Sequence, residues 1–102
     1  MITFYEADGL DLRVSPVVFD PGSSITTLIG AVVEAHAKIF GDVVLVGTGT
    51  VLSATAARVV FAPWVLTPGE YELHVRATPP GTTGQTIFAD NMDVIASIKP
   101  RP

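Results

Sequence analysis

The chain has no cysteine and only two histidines among its 102 residues. Without cysteine it forms no disulfide, offers no thiolate nucleophile and builds no cysteine-ligated metal site. Basic residues are also scarce, with six Lys and Arg against ten Asp and Glu and a formal net charge of −4. Because nucleic-acid binding needs a clustered positive surface to displace counterions, this charge balance disfavours DNA or RNA as a partner.

Long apolar runs are missing as well. No window approaches about 18 uninterrupted apolar residues, so we expect no membrane span. Residues 1–6 lack the basic region and apolar stretch of a signal peptide, and we therefore expect synthesis in the cytosol. Apolar residues nevertheless make up 48% of the chain and charged residues 16%, which predicts a folded domain rather than disorder. A domain this small has limited core volume, so some apolar surface is left for a partner to cover.

Short β-rich segments separated by turn residues predict an all-β fold. The clearest strand is 70–77, in which apolar and polar residues alternate with a period of two. It follows a turn in which Pro68 presets φ and Gly69 tolerates a positive φ. Other predicted strands are 43–51, with a bulge or bend at Gly47 and Gly49, then 58–61 and 86–95, and an edge strand at 10–18 that contains Pro16.

The segment 23–40 fits two structures. Apolar residues at 25, 28, 29, 32, 33 and 39 lie on one helical face, with Ser23 or Ser24 as the N-cap and Gly41 at the end. A strand over 31–40 fits too, because its odd-numbered apolar residues alternate with Glu34, His36 and Lys38. Periodicity alone slightly favours the helix.

Four segments in order resemble the immunoglobulin-like domain at the amino terminus of phage baseplate upper proteins, which also occurs in small phage virion proteins. They are Thr27-Leu28-Ile29-Gly30-Ala31 leading into an alternating strand, Arg58-Val59-Val60-Phe61, Thr67-Pro68-Gly69-Glu70-Tyr71, and Gln85-Thr86-Ile87-Phe88 before a last strand. The resemblance implies an immunoglobulin-like antiparallel β-sandwich of about seven strands over 1–98, a proline-rich tail over 99–102, and a strand at 31–40. Pro63-Trp64 departs from the polar stretch usual in that family, and no long carboxy-terminal region follows.

No catalytic, cofactor or metal site is predicted. His36 and His74 lie on different segments at outward positions, which favours two solvated strand faces over a metal site. The acidic pairs Asp8 with Asp11 and Asp90 with Asp93 lack the spacing of a calcium loop, and the Gly47–Gly49 stretch precedes no phosphate-binding helix. We therefore expect a protein that is not an enzyme.

Aromatic residues provide the interface candidates. Trp64 is either a core plug or a binding anchor, since Trp is enriched at binding hot spots. Phe4 and Tyr5 could extend the sheet edge of a neighbouring subunit by strand addition. Tyr71 is expected to be structural, with Pro68 and Gly69, because a tyrosine entering a late strand often hydrogen-bonds backbone at a sandwich corner.

The resemblance implies a non-enzymatic structural protein of a phage virion: a capsid decoration, head–tail, tail or baseplate component. Its partners would be other virion proteins in a symmetric multi-copy assembly, and its location the virion, after synthesis in the host cytoplasm. The alternative function is a carbohydrate- or cell-surface-binding module. In that case Trp64 and the loop 79–85 would form the recognition edge for a host surface glycan.

Overall fold

The computed structural model describes residues 1–19 and 25–98 and contains seven strands there. The predicted turn at 20–22, the alternative caps Ser23 and Ser24, and the tail 99–102 lie outside the described residues. The strands are β1 Ile2–Tyr5, β2 Leu10–Val14, β3 Val32–Ile39, β4 Asp42–Ser53, β5 Ala56–Phe61, β6 Gly69–Thr78 and β7 Gln85–Ile95. The described part of the chain has no helix long and apolar enough to cross a membrane. The predicted all-β class is confirmed.

All seven strands belong to one mixed sheet in the order β1-β7-β6-β3-β4-β5-β2, which curls into a nearly barrel-shaped body. Five pairings are antiparallel, but β1 lies parallel to β7, with Ile2 opposite Met92 and Tyr5 opposite Ile95. The expectation of a purely antiparallel fold is therefore wrong at this edge.

Strand β4 changes partner along its length. Its first half pairs with β3 and its second half with β5, and Thr48 pairs with Glu34 on one side and Val60 on the other. The two flanking glycines allow this close approach. A Cβ at Gly47 would lie 2.7 Å from the Val60 carbonyl oxygen, and one at Gly49 would lie 2.0 Å from the Val33 carbonyl oxygen. The glycines thus flank the point at which β4 changes its partner from β3 to β5, which we call the crossover of β4. The register shifts lie elsewhere, at 37/38, 51/53 and 75/76.

The core lies on the concave side of the curled sheet. Alternate residues of β3 and β6 face it, as the period of two requires, and those of β5 pack from the other half of the sheet. The largest fully buried side chains are Phe61, Ile25, Leu28, Leu73, Met92, Val59, Val75 and Val94. No buried side-chain nitrogen or oxygen among the described residues lacks a hydrogen-bond partner. Burial of this apolar surface stabilises the fold without disulfides.

Segment 31–40, for which both a helix and a strand were predicted, forms a strand. Val32–Ile39 is a strand, with Val33, Ala35 and Ala37 buried and the polar residues between them half-exposed. The helical interpretation is wrong because the apolar residues before the strand do not share a face. Leu28 is buried and its N–H donates to the Ala54 carbonyl at 2.9 Å, whereas Ile29 is exposed.

The edge strand predicted over 10–18 is shorter than expected. Strand β2 ends at Val14, so Pro16 lies beyond it, and the chain then runs past the β4–β5 turn, where the Val17 N–H donates to the Thr55 carbonyl at 2.8 Å. Because β2 is the last strand in the sheet order, one of its edges has no neighbouring strand among the described residues. Proline has no backbone N–H to donate, and beyond the end of an edge strand no hydrogen bond between strands requires one.

Candidate interaction surface

The β3–β4 hairpin turns at Phe40 and Gly41, which have φ values of 50° and 83°. Two positive φ values are the signature of a type I′ turn, which normally takes Asn-Gly or Asp-Gly. A phenylalanine in the left-handed region costs on the order of 1–3 kcal/mol. The Phe40 side chain is also fully exposed, at 100%. Phe40 is therefore unfavourable in the isolated chain both for its backbone and for its hydration.

Other apolar side chains surround this turn. Ile39 and Val43 flank it and are exposed, and the outer face of β4 continues the apolar surface with Val44 and Val46. Beside the turn lies an open groove of about 470 Å³. Its lining comprises Met1, Lys38, Ile39, Phe40, Glu70, Tyr71, Glu72, Asn91 and Met92. We call Ile39–Val44 together with this groove the tip surface. It combines a protruding aromatic ring with an adjacent partly apolar depression.

The charges around the tip surface are mainly acidic. Glu70 and Glu72 line the groove and Asp42 follows the turn, against the single side-chain cation Lys38, which pairs across the sheet with Glu72. The amino terminus lies near this side as well, 3.5 Å from an Asp90 carboxylate oxygen. A partner would therefore meet an apolar centre with an acidic rim.

The two amino-terminal candidates have different environments. Phe4 is half-buried and packs against the core, so its ring belongs to the fold. Tyr5, on the opposite face of β1, is 52% exposed. It lines an open depression of about 300 Å³ with Ala7, Asp8, Ser97 and Ile98. One edge of β1 pairs with β7, and its other edge has no neighbouring strand within residues 1–19 and 25–98.

Trp64 lies in the loop between β5 and β6 with a positive φ of 68° and a half-buried side chain. The backbone N–H of Trp64 donates to the Glu6 carbonyl at 2.7 Å, and the backbone N–H of Glu6 donates to the Ile95 carbonyl at 3.0 Å. The buried Glu6 carboxylate accepts from the Ser97 N–H at 3.4 Å. Trp64 is thus held by its backbone at a junction of three chain segments.

The structure does not bring Trp64 and the loop 79–85 together. Trp64 lies near the start of β6, next to the end of β7, whereas 79–85 connects the end of β6 to the start of β7. The 10-residue strand β6 separates them by about 30 Å. A single recognition edge made of both, as the glycan-binding alternative requires, is not assembled.

Tyr71 fixes the turn that precedes β6. It is 7% exposed, and its hydroxyl donates to the Thr67 carbonyl at 2.7 Å. Gly69 has a φ of 152°, a conformation that side chains rarely adopt, next to Pro68 in the turn. The ring and its hydrogen bond together hold the entry of the chain into β6.

The acidic candidates are not gathered into a site. Asp11 forms a two-pronged ion pair with Arg58 across β2 and β5, with Arg58 Nε donating to Oδ1 at 2.7 Å. The hydrogen bond from Arg58 holds the pKa of Asp11 below its ordinary value. Among the described residues, no group of three or more His, Cys, Asp and Glu side chains is arranged to hold a metal ion.

The tip surface was not predicted from the sequence, although a signal for it exists. The sequence patterns place Phe40 at the end of a helix over 23–40 or of a strand over 31–40, whereas Phe40 and Gly41 are the turn residues. A glycine between an alternating segment and a β-branched run marks a hairpin turn, and a two-residue loop there includes the residue before the glycine. That interpretation would have put Phe40 at the tip rather than in a strand.

Comparisons with protein families, curated proteins and solved structures found no significant match for this chain.

Proposed function

We propose that this chain is a non-enzymatic structural protein of a phage virion, with an immunoglobulin-like fold, that assembles through its tip surface. The virion assignment rests on the resemblance of the four segments described above. Two features support the immunoglobulin-like architecture. Strand β4 pairs with β3 over its first half and with β5 over its second half, and the Tyr71 hydroxyl donates to a backbone carbonyl at the entry to β6, as a tyrosine does at the corner of such sandwiches.

The observation that carries the assembly role is the fully exposed Phe40 in a left-handed turn. Asn or Asp before Gly41 would relieve the backbone strain and expose no ring, so the isolated fold gains nothing from the aromatic. Burying a phenylalanine against a partner contributes about 1.5–3 kcal/mol. A protruding aromatic next to a groove is the arrangement of a binding anchor, since buried aromatics dominate interface energetics.

The partner we propose is a different virion subunit with an apolar pocket and a basic rim. Charge complementarity leads to this choice. The tip surface carries Glu70, Glu72 and Asp42 against Lys38, and the whole chain has a net charge of −4. Two copies joined tip to tip would bring these acidic rims together, which is repulsive, whereas a basic rim would be attracted.

The test is binding of the purified chain to purified heads and tails of the phage that encodes it. The informative variant is Phe40→Asn, because Asn-Gly is the preferred type I′ pair and the fold should keep or gain stability. Val18→Asn is the matched control. Val18 is 85% exposed and follows Val17, which bonds to Thr55 at the opposite end of β4.

The expected result is co-sedimentation of the wild-type chain with one of the two particles. Affinity should fall about 30-fold or more in Phe40→Asn, the loss of a hot spot of about 2 kcal/mol, and be unchanged in Val18→Asn. Absence of binding to both particles would refute the virion assignment. Equal binding by wild type and Phe40→Asn would refute the tip surface, and tip-dependent dimers in light scattering would refute the choice of a different subunit.

A further inference from the structure

The only two histidines of the chain lie directly opposite each other. His36 on β3 and His74 on β6 are Cα partners in the antiparallel ladder, on the outer face of the sheet. Both are partly exposed, so the ligand positions are open to solvent. Directly opposed residues on one face have Cβ atoms about 4.5–5.5 Å apart. This separation brings the two imidazoles within reach of one ion.

The residue pairs on either side of the two histidines each combine an acidic with a basic side chain. Glu34 is opposite Arg76 on one side of the histidines, and Lys38 is opposite Glu72 on the other. Further across the sheet, the partner of His36 on β4 is Val46 and the partner of His74 on β7 is Ala89. The histidines thus have no cation directly beside them on β4 or β7.

Space and additional oxygen donors lie on the β7 side. An open depression of about 350 Å³ is lined by Glu72, His74, Ala89, Asp90 and Asn91. His74 Nε2 is 3.6 Å from the nearer Glu72 carboxylate oxygen, a contact that favours an oriented imidazole. The small side chain of Ala89 leaves the His74 ring accessible from this side.

We propose that His36 and His74 form a two-histidine chelate for a divalent transition-metal ion of the copper, nickel and zinc group. Imidazole nitrogen is a preferred ligand of these ions. Bonds of about 2.0–2.1 Å place two nitrogens on one zinc ion roughly 3–4 Å apart, which opposed histidines reach by side-chain rotation. Since no three-ligand group is in place among the described residues, water completes the coordination. This inference is independent of the assembly role.

The test uses the untagged full chain, in which all imidazole ligands come from this pair. Calorimetric titration with Cu²⁺ and Ni²⁺ is compared among wild type, His36→Gln and His74→Gln. Because the second ligand binds intramolecularly, wild type should bind one ion per chain about 100-fold or more tightly than either variant. Thermal unfolding should shift upward with the ion only in wild type, since an ion that binds the native state stabilises it.

The single variants and the binding stoichiometry decide the outcome. Wild-type affinity in either single variant would overturn the chelate, as would equally weak binding in all three proteins. A stoichiometry of one ion per two chains would place the ligands on different copies and would also overturn it.

Discussion

The crossover of β4 makes Gly49 the most demanding position in the fold. A Cβ at this position would lie 2.0 Å from the Val33 carbonyl oxygen and 2.5 Å from its carbonyl carbon. Ordinary van der Waals contact begins at about 3.4 Å, so Gly49→Ala requires β3 and β4 to separate by more than about 1 Å. Both strands are central in the sheet, and the backbone atoms of Val33 cannot rotate away as a side chain would.

The expected cost of Gly49→Ala follows from these distances. Overpacking in close-packed interiors costs about 1–3 kcal/mol, and a clash with backbone belongs at or above the top of that range. The ordinary benefit of replacing glycine in a strand, about 0.5–1 kcal/mol, is too small to offset it. We therefore expect a net loss of about 3 kcal/mol, or a fall in Tm of roughly 12–20 °C for a domain of this size.

The assay is urea and thermal unfolding followed by Trp64 fluorescence, because this is the single tryptophan of the chain. Thr50→Ala is the control: Thr50 is exposed on the same strand, and its replacement should cost under about 1 kcal/mol. A Gly49→Ala variant as stable as the Thr50→Ala variant would refute the crossover geometry, because the strands would then be farther apart than described.

Three further substitutions test the corner, the core and the edge of the fold. Tyr71→Phe removes the hydroxyl that donates to the Thr67 carbonyl and should lower the unfolding free energy by about 0.5–1.5 kcal/mol; no change in urea unfolding would contradict the role of that bond. Leu73→Ala empties a fully buried site and should cost about 2–5 kcal/mol in the same assay, while a cost under about 1 kcal/mol would place Leu73 outside the core. The pKa of Asp11 is lowered in the folded state by the Arg58 hydrogen bond, so the pair stabilises the fold above the unfolded pKa and loses that effect as pH falls through the folded pKa. The Tm difference between wild type and Asp11→Asn should therefore be small, diminish from pH 7 to about pH 2 and shrink in about 1 M salt; a difference that grows on acidification would contradict this linkage.

The strands with strict alternation were predictable from the sequence. Strand β6 stands out because Tyr71 to Ala77 alternate and a Pro-Gly turn precedes them. Strand β3 was ambiguous, since a period of 3.6 and a period of two fitted overlapping residues. The tertiary structure resolved it: Ile25 and Leu28 are buried in an irregular segment rather than on a helix face, with Leu28 bonded to the β4–β5 turn.

Other features depend on contacts far apart in the sequence. Strand β1 has four residues and pairs in parallel with β7, about ninety positions later, and no local pattern indicates such a pairing. The same holds for Phe4, whose packing against the core depends on that pairing. The juxtaposition of His36 and His74 depends on the β3–β6 register, which alternation alone leaves free to slip by two residues.

The tip surface was missed for a different reason. Hydrophobic pattern analysis assigns a phenylalanine at the end of a segment with apolar periodicity to the core, because that is where most phenylalanines lie. Phe40 breaks this rule together with the preference of the left-handed region for Gly, Asn and Asp. Sites at which local preferences are violated without benefit to the fold are where function is expected.

Site-specific photo-crosslinking can show which protein the tip surface contacts. A benzophenone amino acid is placed at position 40, or at position 18 as the control, and the labelled chain is irradiated with purified phage particles. We expect one prominent adduct from position 40, with a different virion subunit identified by mass spectrometry, and none of that adduct from position 18. Identical adducts from both positions, or none from position 40, would contradict assembly through the β3–β4 tip.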